Sequence, residues 1–164
     1  MNSNWTDGYV TDIGYTHGYY PPLNPARMQL AFAAAGLDSP VVGTACELGF
    51  GQGLSVNIHA AASPVAWFGN DFNAEQAGHA QRLAQAAGSS ASLHQASFAE
   101  FCARDDLPPF DFIAMHGIWS WVSAGNRAII RDFVERRLKP GGVLYVSYNT
   151  QPGWAAFMPL RDLL

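Results

Sequence analysis

Glu47-Leu48-Gly49-Phe50-Gly51-Gln52-Gly53 decides how the rest of the chain is read. Upstream, Val41 to Leu48 is a short apolar run with the compactness of a buried strand. Downstream, Leu54 to Ala62 has the spacing of a helix. A glycine-rich turn between such a strand and helix lets the backbone approach a ligand closely and aims the helix N-terminus at it. The dinucleotide pattern GxGxxG also requires a third small residue where the helix packs on the strand. Counted from Gly49 that place holds Leu54, and counted from Gly51 it holds Val56. The pattern fails in both registers.

Outward from this turn, short apolar runs alternate with helical stretches. Val65 to Asp71 reads as a second strand, and Asn73 caps a helix that runs to Ala87 and stops at Gly88. Ser92 to Ala96 is a third strand, and Phe98 to Arg104 a short helix. Phe110 to His116 is a fourth strand. Ala124 to Leu138 is a long helix stopped by Lys139-Pro140-Gly141-Gly142, and Val143 to Tyr148 is a fifth strand. Before the turn, Asn24-Pro25 opens a helix that Gly36 closes. Met158 to Leu164 has the look of another helix start. Such alternation predicts an α/β fold, a Rossmann-like, doubly wound and mostly parallel sheet. Two units follow: an arm or lid over residues 1–22, rich in Gly, Tyr, Thr and Asp and ending in Pro21-Pro22, and a core over residues 23–164.

In that fold ligands sit at the carboxyl ends of the strands. Glu47 is placed there, and its carboxylate would repel a pyrophosphate. It suits a ligand with an ammonium group and a sulfonium cation, and S-adenosylmethionine (SAM) has both. Asp71 ends the second strand, where an acidic residue takes two hydrogen bonds from a ribose diol. Because Asn73 already caps the next helix, Asp71 is assigned to ribose. A nicotinamide-dependent oxidoreductase is disfavoured by Leu54, Val56 and Glu47 together.

Five motifs in order carry a resemblance to the class I SAM-dependent methyltransferases over nearly the whole chain. They are the glycine turn, Asp71, Ser97-Phe98, Asp111-Phe112-Ile113-Ala114-Met115-His116-Gly117, and Leu138-Lys139-Pro140-Gly141-Gly142-Val143-Leu144. His116-Gly117-Ile118-Trp119-Ser120-Trp121-Val122, Tyr148-Asn149-Thr150-Gln151-Pro152-Gly153-Trp154 and Tyr15-Thr16-His17-Gly18-Tyr19-Tyr20-Pro21 further resemble bacterial methyltransferases that carry a C-terminal methyltransferase regulatory domain. The resemblance implies SAM as cofactor. It assigns Glu47 to the methionine amine, and Gly49, Phe50, Gly51 and Gly53 to the loop beneath the ligand. Asp71 and Phe72 are assigned to ribose and adenine, Ser97 and Phe98 to the adenine edge and face, and His116 and Gly117 to the methionine end. His116, His17 and Tyr19 are the candidate catalytic groups, because an amine or hydroxyl acceptor must lose a proton. Tyr15, Tyr19, Tyr20, Trp119 and Trp121 are candidates to line a lid over the transferred methyl.

The resemblance also implies what should lie beyond the fifth strand. The family's last two strands are not found in the chain, so a C-terminal regulatory domain or a dimer partner is expected to complete the sheet. The acceptor is open: protein lysine, a small molecule or another group. A non-catalytic SAM-binding module is the alternative reading.

Bulk composition fits these expectations. The chain has 164 residues, 49% of them apolar and only 13% charged, which suits a filled core. The net charge of −4 gives no long-range attraction for a polyanion, so nucleic acid is not an expected partner. Arg127, Arg131, Arg136, Arg137 and Lys139, interleaved with Asp132 and Glu135, read as a solvated helix face. His59, His79 and His94 are expected away from the strand-end face. Cys46 and Cys102 read as reduced, buried thiols. No residue cluster has metal-ligand spacing, no apolar run approaches the ~20 residues that span a bilayer, and a cytoplasmic location is expected.

Overall fold

The apolar runs become five parallel strands in one sheet. The computed structural model describes residues 16–157, so the expected helix start at Met158 and the arm residue Tyr15 lie outside the described residues. In chain order the elements are α1 (Pro25–Ala34), β1 (Thr44–Leu48), α2 (Leu54–Ala62), β2 (Ala66–Asp71), α3 (Ala74–Ala86), β3 (Ser92–Gln95), α4 (Phe98–Cys102), β4 (Phe110–Met115), α5 (Ala124–Arg137) and β5 (Leu138–Val146). The strand order is β3-β2-β1-β4-β5. β1 is central and pairs in parallel with β2 (Glu47 opposite Gly69) and with β4 (Glu47 opposite Ala114).

Alternation along the strands sends side chains to two cores. Cys46, Leu48, Ile113 and Met115 face Phe101 and Cys102 of α4 and Ile130 and Phe133 of α5. Ala45, Trp67, Phe112 and Ala114 face Val56 of α2, Ala77 and Ala80 of α3, and Leu23. Both faces of the sheet are therefore covered, as a parallel sheet requires. The order of strands reverses between β1 and β4, which opens a crevice at their carboxyl ends.

Two expected strand starts move by several residues, and other strand ends by one or two. β1 begins at Thr44 rather than Val41, whose side chain is 87% exposed. β5 begins earlier than expected: Leu138 pairs with Phe110 and the next pair is Phe112 with Val143, so Lys139 to Gly142 form a bulge within the strand. Gly141 takes a φ of 78°, a backbone region that suits glycine. Lys139 Nζ reaches back to Asp111 Oδ1 at 2.9 Å.

The arginines of α5 do more than form the expected solvated face. Arg127 donates to the Val122 carbonyl, Arg136 to Cys102, and Arg137 to Leu107 and Arg104. They satisfy loop carbonyls that would otherwise lack partners. Arg131 and Arg136 are exposed as expected, and Arg131 is paired with Asp132.

Asp111 ties the amino ends of three strands. Its Oδ2 accepts from the Gly43 and Thr44 amides, both at 2.9 Å, and its Oδ1 accepts from Lys139. Burial pushes its pKa up, but the Lys139 bond and the two amides outweigh that and hold it at about 2, below the ordinary 3.8. A carboxyl depressed in the folded state stabilises fully above its unfolded value, and that contribution fades as pH falls toward the folded value. Asp111→Asn is expected to cost about 2 kcal/mol at neutral pH and to flatten the acid side of the stability profile. Urea unfolding of both proteins between about pH 2 and pH 7 checks this, and equal midpoints throughout that range would remove the clamp from the account.

Candidate functional site

The turn after β1 is shaped by glycine where glycine is needed. Gly49, Gly51 and Gly53 have φ values of 65°, 57° and 72°. A Cβ on Gly49 would lie 2.4 Å from Ile118 Cδ1, and one on Gly53 would lie 2.3 Å from the Ala80 Cβ. The turn is therefore pressed against α3 on one side and the loop after β4 on the other. Phe50 was expected at the ligand, but its ring is only 6% exposed and packs beside Gly69. Only its backbone remains for a ligand, and its amide already donates to the Asn70 carbonyl.

Asp71 fastens this turn. Its Oδ2 accepts from the Gly51 amide and its Oδ1 from the Asn73 amide, both at 2.9 Å. Burial lifts its pKa to about 6, against the pull of those two amides. Asn73 caps α3 as expected, through the Glu75 and Gln76 amides. Asp71 thus has two protein partners, and each oxygen keeps a lone pair for a further donor.

Glu47 is 3% exposed, and its Oε2 is buried with no partner among the described residues. Burial alone raises its pKa from 4.5 to about 8. A buried carboxylate without a cation is costly, and a cation arriving beside it is correspondingly favoured.

Ser97 has a different task from the one expected. Its hydroxyl accepts from the Glu100 amide and donates to Glu100 Oε2, while its own amide also donates to Oε2. This is a capping box, visible in the sequence as Ser97-Phe98-Ala99-Glu100 and missed there. Ser97 thus caps α4, and its hydroxyl keeps one lone pair for a further donor. Phe98 is half-buried, with its ring tip beside Gly49, and Phe72, also half-buried, follows Asp71.

Across the crevice, His116 follows β4. Its Nδ1 lies 3.0 Å from Ser147 Oγ, and the Gly117 amide donates to the same oxygen at 2.8 Å. Burial lowers the His116 pKa. The Tyr20 ring lies over the imidazole, with centroids 4.3 Å apart and planes tilted by 31°. Ser147 escaped sequence reasoning, because nothing marks a strand-end serine until the pairing of β4 with β5 is known.

The described end of the arm crosses this region. His17 meets His79 edge-on at 5.1 Å, Tyr19 meets His59 at 5.5 Å, and the Tyr20 amide donates to Ser55 Oγ at 2.8 Å. His79 also holds the Gln52 carbonyl through Nδ1. His59 and His79, expected away from the site, are therefore the helix residues that receive the arm. Of the arm residues named as catalytic candidates, His17 and Tyr19 rest on α3 and α2, and it is Tyr20 that meets His116. Trp119 is half-buried, and Trp121 is half-exposed against Trp154.

These features define a Rossmann-like domain with the fold of class I SAM-dependent methyltransferases. Residues 45–142 match the methyltransferase domain family, and the chain belongs to that family. It is 42% identical to an uncharacterized protein of Synechocystis sp., over 98% of this chain and 32% of that protein. An uncharacterized protein of Rickettsia prowazekii is 31% identical, over 93% of this chain and 28% of its own length. The chain thus spans about a third of these relatives. Among solved structures, PKMT2 from Rickettsia typhi in complex with AdoHcy superimposes with a TM-score of 0.78 at 24% identity, over 91% of this chain and 29% of that one. A SAM-dependent methyltransferase from Thiobacillus denitrificans in complex with S-adenosyl-L-homocysteine gives 0.54 at 23% identity, covering 79% and 50%. Among the described residues no group of three or more His, Cys, Asp or Glu is placed to hold a metal, and no helix is long and apolar enough to cross a membrane.

The raised pKa of Glu47 has a direct consequence for stability. Folding takes up a proton between the unfolded value of 4.5 and the folded value of about 8, so the burial penalty is absent in acid and grows as pH rises through that window. Glu47→Gln is expected to match the parent at about pH 4.5 and to melt at a higher temperature at about pH 8. A thermal melt series without ligand checks this, and an equal gap at both pH values would show that the carboxylate is not buried as described.

Proposed function

We propose that the crevice between β1 and β4 binds SAM and that the protein transfers its methyl group to an acceptor by in-line displacement. The observation that carries this reading is the orphaned Oε2 of Glu47 at the end of β1, beside a turn that only glycine can form. The donor chemistry fits: a buried carboxyl at Glu47 for the amino-acid end, a shared carboxylate at Asp71 for the ribose, and aromatic rings at Phe72 and Phe98 for the adenine. The bound cofactor supplies a methyl group made electrophilic by its sulfonium.

The chain's own residues align and enclose. Gly49, Gly51 and Gly53 bring the backbone beneath the ligand. Glu47 loses its proton as the ligand's ammonium arrives and then holds it. Asp71 keeps the turn in place while accepting from the ribose hydroxyls. Gly117 and His116 border the methionine end, and Tyr20, stacked on His116, closes the crevice against water. We infer that His17 and Tyr19 hold the arm on α3 and α2 rather than act as bases.

The sequence resemblance favours an amine of a protein lysine, or a small molecule, as acceptor. It also favours a further chain, or a second copy, pairing with the β5 edge, where Leu144 is 41% exposed, and a cytoplasmic location is part of this proposal. Residues 1–22 act as arm and 23–164 as core in this reading.

Calorimetric titration with SAM, S-adenosylhomocysteine and NAD tests the proposal. Saturable binding of the first two and none of NAD is expected. Near pH 7 the binding enthalpy should depend on the buffer, because Glu47 releases a proton. Glu47→Gln should weaken SAM about tenfold or more and abolish that proton release. A folded sample that ignores SAM, or binds it with no contribution from Glu47, would overturn the site.

A further inference from the structure

We propose that Ser147 is a positioning residue: it fixes His116 as the neutral tautomer protonated at Nε2, so that His116 donates to an oxygen of the bound nucleoside amino acid. The argument begins with the serine's hydrogen-bonding capacity. A serine hydroxyl has one proton and two lone pairs. The Gly117 amide, at 2.8 Å, takes one lone pair. The remaining partner is His116 Nδ1 at 3.0 Å, and the hydroxyl has no other among the described residues.

Two arrangements are open. If Nδ1 carried the proton, it would donate to the second lone pair and leave the hydroxyl proton with no acceptor. If the hydroxyl donates to Nδ1, the serine proton and Nδ1 satisfy each other and the imidazole proton must sit on Nε2. The second arrangement leaves only Nε2 without a partner among the described residues, the first leaves the hydroxyl proton without one as well, and a half-buried site favours the second. Nε2 makes no hydrogen bond among the described residues, so its N–H is available to a ligand.

Backbone geometry reinforces the choice. The Ser147 amide donates to the Met115 carbonyl, which extends the β4–β5 ladder to the residue beside His116. Gly117, at a φ of 69°, turns its amide onto the serine oxygen. The Tyr20 ring covers one face of the imidazole at 4.3 Å. Ring plane and tautomer are thereby set by three different segments: the end of β5, the turn after β4, and the arm. A neutral imidazole with its proton on Nε2 is a donor at that nitrogen and cannot accept a proton there. This replaces the expectation that His116 is the general base.

The inference rests on the crevice being the SAM site, and the experiment separates the two. Long-range 1H–15N correlation spectra of the 15N-labelled chain report the tautomer directly, with His116→Gln used to assign the ring. In the parent near neutral pH, Nε2 should appear as the protonated nitrogen and Nδ1 as the bare one. Ser147→Ala should move both nitrogens toward averaged values, and Ser147→Thr should restore the parent pattern. Titration with S-adenosylhomocysteine should shift the Nε2–H resonance, with Ser147→Ala binding about fivefold to tenfold more weakly and Ser147→Thr near the parent. A protonated Nδ1 in the parent overturns the proposal. So does an unchanged ring in Ser147→Ala, or full affinity in a variant whose tautomer is lost. If S-adenosylhomocysteine does not bind at all, the SAM reading fails, while the parent spectrum still decides what Ser147 does to the ring.

Discussion

The hydrogen bond from the Gly51 amide to Asp71 Oδ2 is the interaction on which the site depends. It joins the turn after β1 to the end of β2, and the other oxygen of the same carboxylate holds the first turn of α3. Three elements are thus set relative to one another by one side chain. The strand pairing alone could not do this, because parallel ladders fix the strands and leave the loops beyond them free. With the turn pinned, Gly53 can sit against Ala80 and Gly49 against Ile118, contacts that any Cβ would prevent. Glu47 is then sealed at the strand end, with its Oε2 unpartnered among the described residues.

The two ends of the sheet are specialised in opposite senses. At the amino ends, Asp111 is met by two backbone amides and by Lys139, so its charge is welcome and the strands are bound together. At the carboxyl ends, Glu47 lacks such partners and Asp71 has only amides, so charge there is held at a cost. All three carboxylates come from motif-bearing stretches of sequence. What separates them is the partners each one meets, which composition does not reveal.

Much of the fold was legible because its signals are local. Leu54 to Ala62 reads as a helix with the bounds observed for α2, and the Asn24 and Asn73 caps do what their side chains suggest. Errors arose where non-local partners decide. Lys139 to Gly142 read as a helix stop, but Phe110 and Asp111 draw them into β5 as a bulge. The α5 arginines read as solvent-facing, yet they reach carbonyls some thirty residues away in sequence. In the site, the glycine turn was plain from spacing. The burial of the Phe50 ring is not legible, because the side of the turn it takes depends on Gly69 across the sheet. The capping role of Ser97 is legible locally, from the glutamate three residues on.

The arm's contacts run in a graded order. His17 and Tyr19 meet α3 and α2 through ring edges alone, Tyr20 adds a backbone hydrogen bond and a stacked ring, and Leu23 is wholly buried. Local opening free energy follows such contacts, so it rises along the arm from Thr16 toward Leu23. The segment therefore peels rather than swings. Tyr20, the residue over His116, is held by more contacts than His17 or Tyr19, so its release takes more free energy than theirs.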